Sequence, residues 1–264
     1  MILAMDVGNT NIKCGLFHEG KLAHSFRVAT NIEATSDEYG IKMVSFFENL
    51  GITPDVVEGV IVSSVIPSVN YTVEHMARQY FSKKPMFIGP GIKTGINIKY
   101  ENPKELGADR IVNAVAAYEM FGGPCITIDF GTATSFGAIS QKGDFIGGAI
   151  CPGLRIVADA LTSNTAKLPR VELSFPEHAI CKNTILGMQS GILYGYVGQV
   201  EYLIKAMRAE LGDQAVVVAT GGFSSLIAEK TTLIDKIVPT LTLIGLNKIY
   251  EKNTQSKGEE SCVK

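Results

Sequence analysis

No stretch of the chain runs for about 18 apolar residues without a charge, so a transmembrane helix is not expected. The first residues pass straight into a strand pattern, without the basic segment and cleavage motif of a secretory signal, so the expected location is cytoplasmic. Charged residues make up only 19% of the chain and nearly balance, with a net charge of −2. That balance leaves no basic surface for nucleic acid or an anionic membrane. The five cysteines, Cys14, Cys125, Cys151, Cys181 and Cys262, are odd in number, widely spaced and free of C-x-x-C. Neither a disulfide framework nor a zinc site is expected, and Cys14 and Cys125 read as inert core thiols. The four histidines, His18, His24, His75 and His178, show no ligand or triad spacing. What the chain does have is apolar residues, at 46% of 264, enough for two modest domains with a sizeable core.

Two apolar runs, Met1 to Met5 and Cys125 to Ile128, each meet one aspartate and then turn through glycine and small polar residues. The turns are Asp6-Val7-Gly8-Asn9-Thr10-Asn11 and Asp129-Phe130-Gly131-Thr132-Ala133-Thr134. Glycine lets the backbone approach a bulky anion, and Asn and Thr side chains with backbone N–H groups can bond phosphate oxygens. The aspartate would repel phosphate directly but suits a metal ion, or its water, that holds the phosphate. Aligning Asp6 on Asp129 also places Gly8 on Gly131 and Gly20 on Gly143, which indicates two copies of one unit.

Strands are expected over Ile2–Met5, Ile12–Phe17 and Leu22–Arg27, then a helix that starts at Thr35-Ser36-Asp37-Glu38 and runs to Leu50, a strand from Val56 to Val65 and a helix from Val69 to Phe81. A short strand follows from Pro85 to Ile88, then a helix from Leu106 to Phe121. The pattern restarts with strands over Cys125–Asp129, Ser135–Ser140 and Phe145–Ile150, a long helix from Leu186 to Leu211 and a strand from Ala215 to Ala219. The fold class is therefore α/β, with two tandem ribonuclease-H-like lobes, each a mixed sheet with flanking helices, around a central cleft. The lobes would span residues 1–121 and 122–250, followed by a polar, frayed tail over 251–264. In the long helix, Gly187, Gly191, Gly195 and Gly198 form a small-residue ridge, suited to close helix packing within the lobe or to a subunit interface.

Four blocks in order carry a resemblance. They are the Asp6–Asn11 turn, Asn102-Pro103-Lys104-Glu105-Leu106-Gly107-Ala108-Asp109-Arg110, the Asp129–Thr134 turn, and Thr220-Gly221-Gly222. Together they resemble the type III pantothenate kinases, of the acetate kinase/hexokinase/actin (actin-like ATPase) superfamily, from Met1 to about Tyr250. The resemblance implies ATP-dependent phosphorylation of pantothenate to 4′-phosphopantothenate, the first step of coenzyme A biosynthesis, by a homodimer. ATP and pantothenate are then the partners, with no nucleic acid or membrane.

Phosphoryl transfer needs an aligned nucleophile, charge neutralisation and an acceptor for the hydroxyl proton. Asp109, at a helix start beside Arg110, suits the acceptor, and the resemblance implies the same role; residues alone also allow an ordinary acidic first turn. Gly107, Ala108 and Arg110 suit a substrate carboxylate, which a guanidinium grips with two prongs. The resemblance adds Tyr100 and Thr184 as pantothenate contacts, although Thr184 also reads as an N-cap. The ATP site would comprise Asp6, Val7, Gly8, Asn9, Thr10, Asn11, Ile12, Lys13, Thr132, Gly221 and Gly222. Lys13 reads equally as a strand lysine facing solvent, and Gly221-Gly222 as a plain strand-to-helix turn. Asp6 would orient magnesium, directly or through water, and the resemblance makes Asp129 a ligand of a monovalent cation, potassium or ammonium. The alternatives are another kinase of this fold and a non-catalytic nucleotide-binding regulator.

Overall fold

The computed structural model describes residues 1–261, with side chains through residue 255. It divides into two compact units.

The first unit comprises residues 1–96, 102–116 and 240 onward. Its sheet begins with an antiparallel meander of β1 (Ile2–Val7), β2 (Asn11–His18) and β3 (Lys21–Ala29). β1 also pairs in parallel with β4 (Gly59–Ser64), and β4 with β5 (Met86–Phe87), giving the order β3-β2-β1-β4-β5. Alternation sorts the side chains. Leu3, Met5 and Val7 share one face with Cys14 and Val62, and they pack on α1 (Ser36–Asn49) and α2 (Pro67–Phe81) through Tyr39, Met43, Phe47, Val73 and Met76. α1 starts on a complete capping box, Thr35 with Glu38, as Ser/Thr-x-x-Glu spacing predicts.

The opposite face, with Ala4, Phe17 and Ile61, is covered by Val112 and Val115 of α3 (Ala108–Phe121) and by Leu243, Leu246 and Ile249 of α7 (Leu241–Ser261). Residues 241–250, which the expected division assigns to the second lobe, fall in α7 and cluster with the first unit, so the spans 1–121 and 122–250 are not the compact units. The contact is close. A Cβ on Gly245 would lie 2.8 Å from Val112 Cγ1 and nearer still to the Val112 carbonyl oxygen, while Thr242 Oγ1 donates to the buried Asn113 Oδ1 at 2.8 Å. The tail expected to fray from residue 251 continues α7 as helix to Ser261; residues 262–264, Cys262 among them, lie outside the described residues.

The second unit, residues 97–101 and 117–239, repeats the meander with β7 (Cys125–Phe130), β8 (Ala133–Ile139) and β9 (Asp144–Pro152). β7 pairs in parallel with β10 (Val216–Gly221), and the full order is β11-β10-β7-β8-β9-β6, with β6 (Asn97–Ile98) and β11 (Lys236–Ile237) as short edges. Ile126, Ile128, Phe130 and Phe136 pack under α4 (Leu154–Ser163) and α5 (Thr184–Leu211), with α6 (Ser224–Ala228) after β10. Each unit is thus a mixed sheet with flanking helices, and the ribonuclease-H-like repeat is present.

Local differences have local causes. The run expected as strand from Val56 begins with a 3-10 turn at Pro54–Val56, and the strand starts only at Gly59. Asn102, held extended before Pro103 as expected, caps a 3-10 turn over Pro103–Glu105, which delays α3 to Ala108. The glycine ridge of α5 does not mediate tight packing inside the unit: Cβ atoms on Gly187, Gly191, Gly195 and Gly198 would meet nothing within 4 Å. Cys14 and Cys125 are buried, and burial pushes the Cys125 thiol up to about 12 and raises that of Cys14 as well. Both are the inert thiols expected.

Glycine to alanine in an exposed helix interior stabilises by about 0.8–1 kcal/mol. Forcing a methyl into a packed contact costs about 1–3 kcal/mol. At Gly245 the obstacle is backbone, which cannot swing aside, so the clash wins. Gly245→Ala is therefore expected to lower the urea midpoint of unfolding.

Candidate functional site

In the first unit, Asp6 is the penultimate residue of β1 and is 7% exposed. Its register partners are Lys13 on the antiparallel side and Ser63 on the parallel side. Neighbours in register project to the same face, so Lys13 is not a lysine turned to solvent. Its Nζ lies 3.5 Å from Asp6 Oδ2, an ion pair within reach of the turn. Ser63 Oγ is buried without a hydrogen-bond partner among the described residues. A serine at the end of the apolar run Val60–Ser64 reads only as a strand end, so nothing in the sequence singled it out.

The turn after Asp6 is closed by the Gly8 N–H donating to Asn11 O at 3.1 Å. Asn9 and Thr10 are exposed at its tip, while Val7 and Ile12 are 1% and 0% exposed, in the core. The two apolar members of the expected ATP set can therefore offer a ligand their backbone only. A residue that escaped the sequence reading holds this turn from behind. Thr30, just past β3, donates its hydroxyl to Gly8 O at 2.6 Å and its N–H to Thr10 O at 3.0 Å.

Also in this unit, α3 opens where the Gly107 carbonyl accepts from the N–H groups of Arg110 and Ile111 at 3.1 and 3.2 Å. Asp109 stands in the first turn, where the helix dipole favours an anion. Its Oδ1 folds back over Gly107 so closely that a Cβ there would lie 2.5 Å away, which gives the glycine of the block a steric reason. Asp109 is half-buried, and Arg110 is only 7% exposed, not a solvated helix arginine.

In the second unit, Asp129 is the penultimate residue of β7, beside Thr220 in register, and Phe130 pairs with Gly221. Gly221 has φ +91°, and a Cβ there would lie 2.6 Å from both Asp129 Oδ1 and the Phe130 backbone. Conformation and space both demand glycine, so this is more than a plain strand-to-helix turn. Gly222 is open. The second turn is one residue shorter than the first: the Gly131 N–H donates to Ala133 O, and Phe130 pairs with Thr134 where Val7 pairs with Ile12. The two turns therefore differ residue by residue after the glycine, but the repeat is back in step at Gly20 and Gly143, which have φ of +76° and +83° and directly precede β3 and β9.

Tyr100 follows β6, its ring 6.2 Å from that of Phe145. Thr184 is exposed and is the first helical residue of α5. The N-cap expected there is Asn183, whose side chain accepts from the Leu186 N–H at 2.9 Å. Thr184 lines an apolar groove of about 880 Å³ between α4 and α5, together with Ile156, Leu161, Gly187 and Gly191.

Among the described residues no three of His, Cys, Asp and Glu gather to cage a metal. A lone buried carboxylate such as Asp6 fits magnesium, which keeps several waters and binds through one or two carboxylates plus phosphates. Asp129, a hard oxygen donor set against the backbone of Gly221, equally suits an alkali cation.

A sequence model of the type III pantothenate kinases matches residues 2–206. The chain belongs to that family. As a type III pantothenate kinase family member it is placed among the kinases, and the matched span takes in both aspartate turns and the Asn102–Arg110 block but stops short of Gly221. Among solved structures, a Campylobacter jejuni protein described as a Baf family transcriptional activator is similar over 96% of this chain and 99% of its own, at 18% identity and a TM-score of 0.61. Component A of the (R)-2-hydroxyglutaryl-CoA dehydratase of Acidaminococcus fermentans covers 96% and 98%, at 15% identity and 0.56. The activator of the 2-hydroxyisocaproyl-CoA dehydratase of Clostridium difficile, with bound ADPNP, covers 98% and 97%, at 12% identity and 0.52. These likenesses establish the fold. No helix of the described residues is long and apolar enough to cross a membrane.

Thr30→Val keeps shape and removes the hydroxyl that braces Gly8. Losing one hydrogen bond of this kind costs about 1 kcal/mol. The expected result is a drop of that size in unfolding free energy, with hydrogen exchange accelerated at Asn9 to Asn11 and unchanged in β10.

Proposed function

We propose that the protein phosphorylates pantothenate to 4′-phosphopantothenate at the expense of ATP, the committed entry of that vitamin into coenzyme A biosynthesis. The observation that carries this reading is the family match, which spans both aspartate turns and the Asn102–Arg110 block. Asp109 takes the proton from the primary hydroxyl as its oxygen attacks the γ-phosphorus of ATP. A carboxylate in the first turn of α3, half open to solvent, is chemically fit for that step. Arg110 binds the pantothenate carboxylate with the backbone of Gly107 and Ala108; for Tyr100 and Thr184, in the second unit, a pantothenate contact rests on the family resemblance.

The phosphate contacts of this reading are the Gly8–Lys13 turn in the first unit and Thr132 in the second, and Gly221 and Gly222 are its adenine contacts. Asp6 holds magnesium or its water, and Asp129 holds potassium or ammonium. Bound cations of this kind neutralise charge on the phosphates. Lys13 balances the Asp6 carboxylate and can turn to a phosphate oxygen. The working form is a cytoplasmic homodimer built on the α5 glycine ridge and the apolar groove beside it. Nucleic acid and membrane are not partners: the net charge of −2 favours neither.

Coupled detection of ADP release with pantothenate, ATP, magnesium and potassium tests the reading. Asp109→Asn is expected to lower kcat by about 10²–10⁴-fold, the usual contribution of a general base. Full activity in that variant would remove Asp109 from the chemistry. Binding of ATP without any turnover of pantothenate by the wild type would point instead to a nucleotide-binding regulator. Replacing potassium with sodium is expected to depress the rate, and light scattering is expected to report twice the mass of the 264-residue chain.

A further inference from the structure

Gly153 follows β9 as Thr30 follows β3, and it meets the second turn as Thr30 meets the first. Its N–H donates to Thr132 O at 3.1 Å. Its φ and ψ, −68° and 157°, are open to any residue, so conformation gives no reason for glycine. Space does. A Cβ at Gly153 would lie 2.6 Å from the Gly131 carbonyl oxygen and closer still to that of Thr132. Both obstacles are backbone, so the turn itself would have to move. With these carbonyls drawn back to Gly153, peptide planarity turns the N–H groups of Thr132 and Ala133 the other way, as a phosphate-cradling turn requires.

A second tie reaches the same turn from α5. Tyr196, 4% exposed, donates its hydroxyl to Pro152 O at 3.2 Å and shares a hydrogen bond with Thr134 Oγ1. Burial, the larger influence, raises the Tyr196 phenol above its ordinary range, which keeps it a donor at neutral pH. Its ring stands 6.5 Å from that of Phe130 at the other end of the turn. The first residue of β8 and the last of β9 are themselves register partners, so turn, strand ends and helix start form one braced unit.

We propose that Gly153 and Tyr196 are positioning residues for the phosphate turn at Gly131–Thr132: Gly153 sets how far the turn is drawn back, and Tyr196 fixes its flanks. This rests on the kinase reading above. Neither residue need touch the substrate; they act through Thr132 and its neighbours.

Gly153→Ala and Tyr196→Phe test it, with kcat and KM measured separately for ATP and for pantothenate, and thermal unfolding measured alongside. Displacing catalytic groups by about 1 Å costs on the order of 10²-fold. For Gly153→Ala the expected result is a loss of that order in kcat/KM for ATP with KM for ATP raised, while KM for pantothenate stays within about twofold and the melting curve keeps its cooperativity. Tyr196→Phe, which retains the ring against Phe130, is expected to lose about fivefold on the ATP side, the factor that one net hydrogen bond represents.

A merely structural role would lower both substrates' parameters with the folded fraction, and that pattern overturns the proposal. So does a folded Gly153→Ala with an unchanged KM for ATP. If Gly153→Ala does not fold, an unchanged KM for ATP in Tyr196→Phe overturns it instead. A wild type that neither binds ATP nor turns over pantothenate removes the kinase reading and this inference together, an outcome distinct from loss in the variants alone.

Discussion

In each lobe a central strand ends in an aspartate between two unlike neighbours, an antiparallel hairpin partner on one side and a parallel strand on the other. That pairing dictates where the remaining parts can go. The hairpin turn must follow the aspartate at once, so glycine and small polar residues cluster beside the carboxylate. The parallel neighbour must end at the same level, which brings Ser63 beside Asp6 and Thr220 and Gly221 beside Asp129. Parity does the rest. With Met5 and Val7 committed to the core, Asp6 is forced onto the face that Ala4 shares with α3 and α7.

The same topology yields two different electrostatic settings. Asp6 has a lysine 3.5 Å away, on a strand position that alternation places on its own face. Asp129 has the close backbone of Gly221 against one carboxylate oxygen. A carboxylate with a mobile counter-charge can surrender that partner to a magnesium–phosphate complex as it arrives. One packed against backbone is more rigid and better suited to a fixed oxygen-ligated ion. The two aspartates thus stand in different settings although the strands that carry them are repeats; the cations proposed for them rest on the family resemblance.

How much of this could be read from the chain depends on how local each cause is. The two meanders, the aspartate turns and the Asp109 helix start were legible because strand alternation, Asp-X-Gly and Asn-Pro act over a few residues. The fate of α7 was not, because its partner, Val112, lies more than a hundred residues away and the helix past residue 250 lacks an apolar face. α4 was missed for a related reason: Pro152-Gly153 reads as a turn, and only Leu154 and Ala158 of the helix are buried. Thr30, Ser63, Gly153 and Tyr196 carry no motif. Each is defined by what another strand or helix brings against it.

The glycines show the limit most clearly. Periodicity drew attention to the α5 ridge as a packing device, yet inside the chain those four glycines touch nothing where a Cβ would be, while solitary Gly153 and Gly245 sit against backbone. Each glycine in a helix interior costs about 0.8–1 kcal/mol relative to alanine, so the ridge burdens α5 with roughly 3–4 kcal/mol that no contact within the chain explains. Ile185 and Leu186 stand exposed at the start of the same helix, and Ile156 and Leu161 on α4 across the groove. A surface with apolar side chains left open, and a backbone kept bare at a cost in helix stability, is suited to receive another helix at close range. That supports placing the second copy of the proposed dimer on α5. It also separates two settings of glycine: Gly153 sits against the backbone of the Gly131–Thr132 turn, and the ridge glycines are open within the chain.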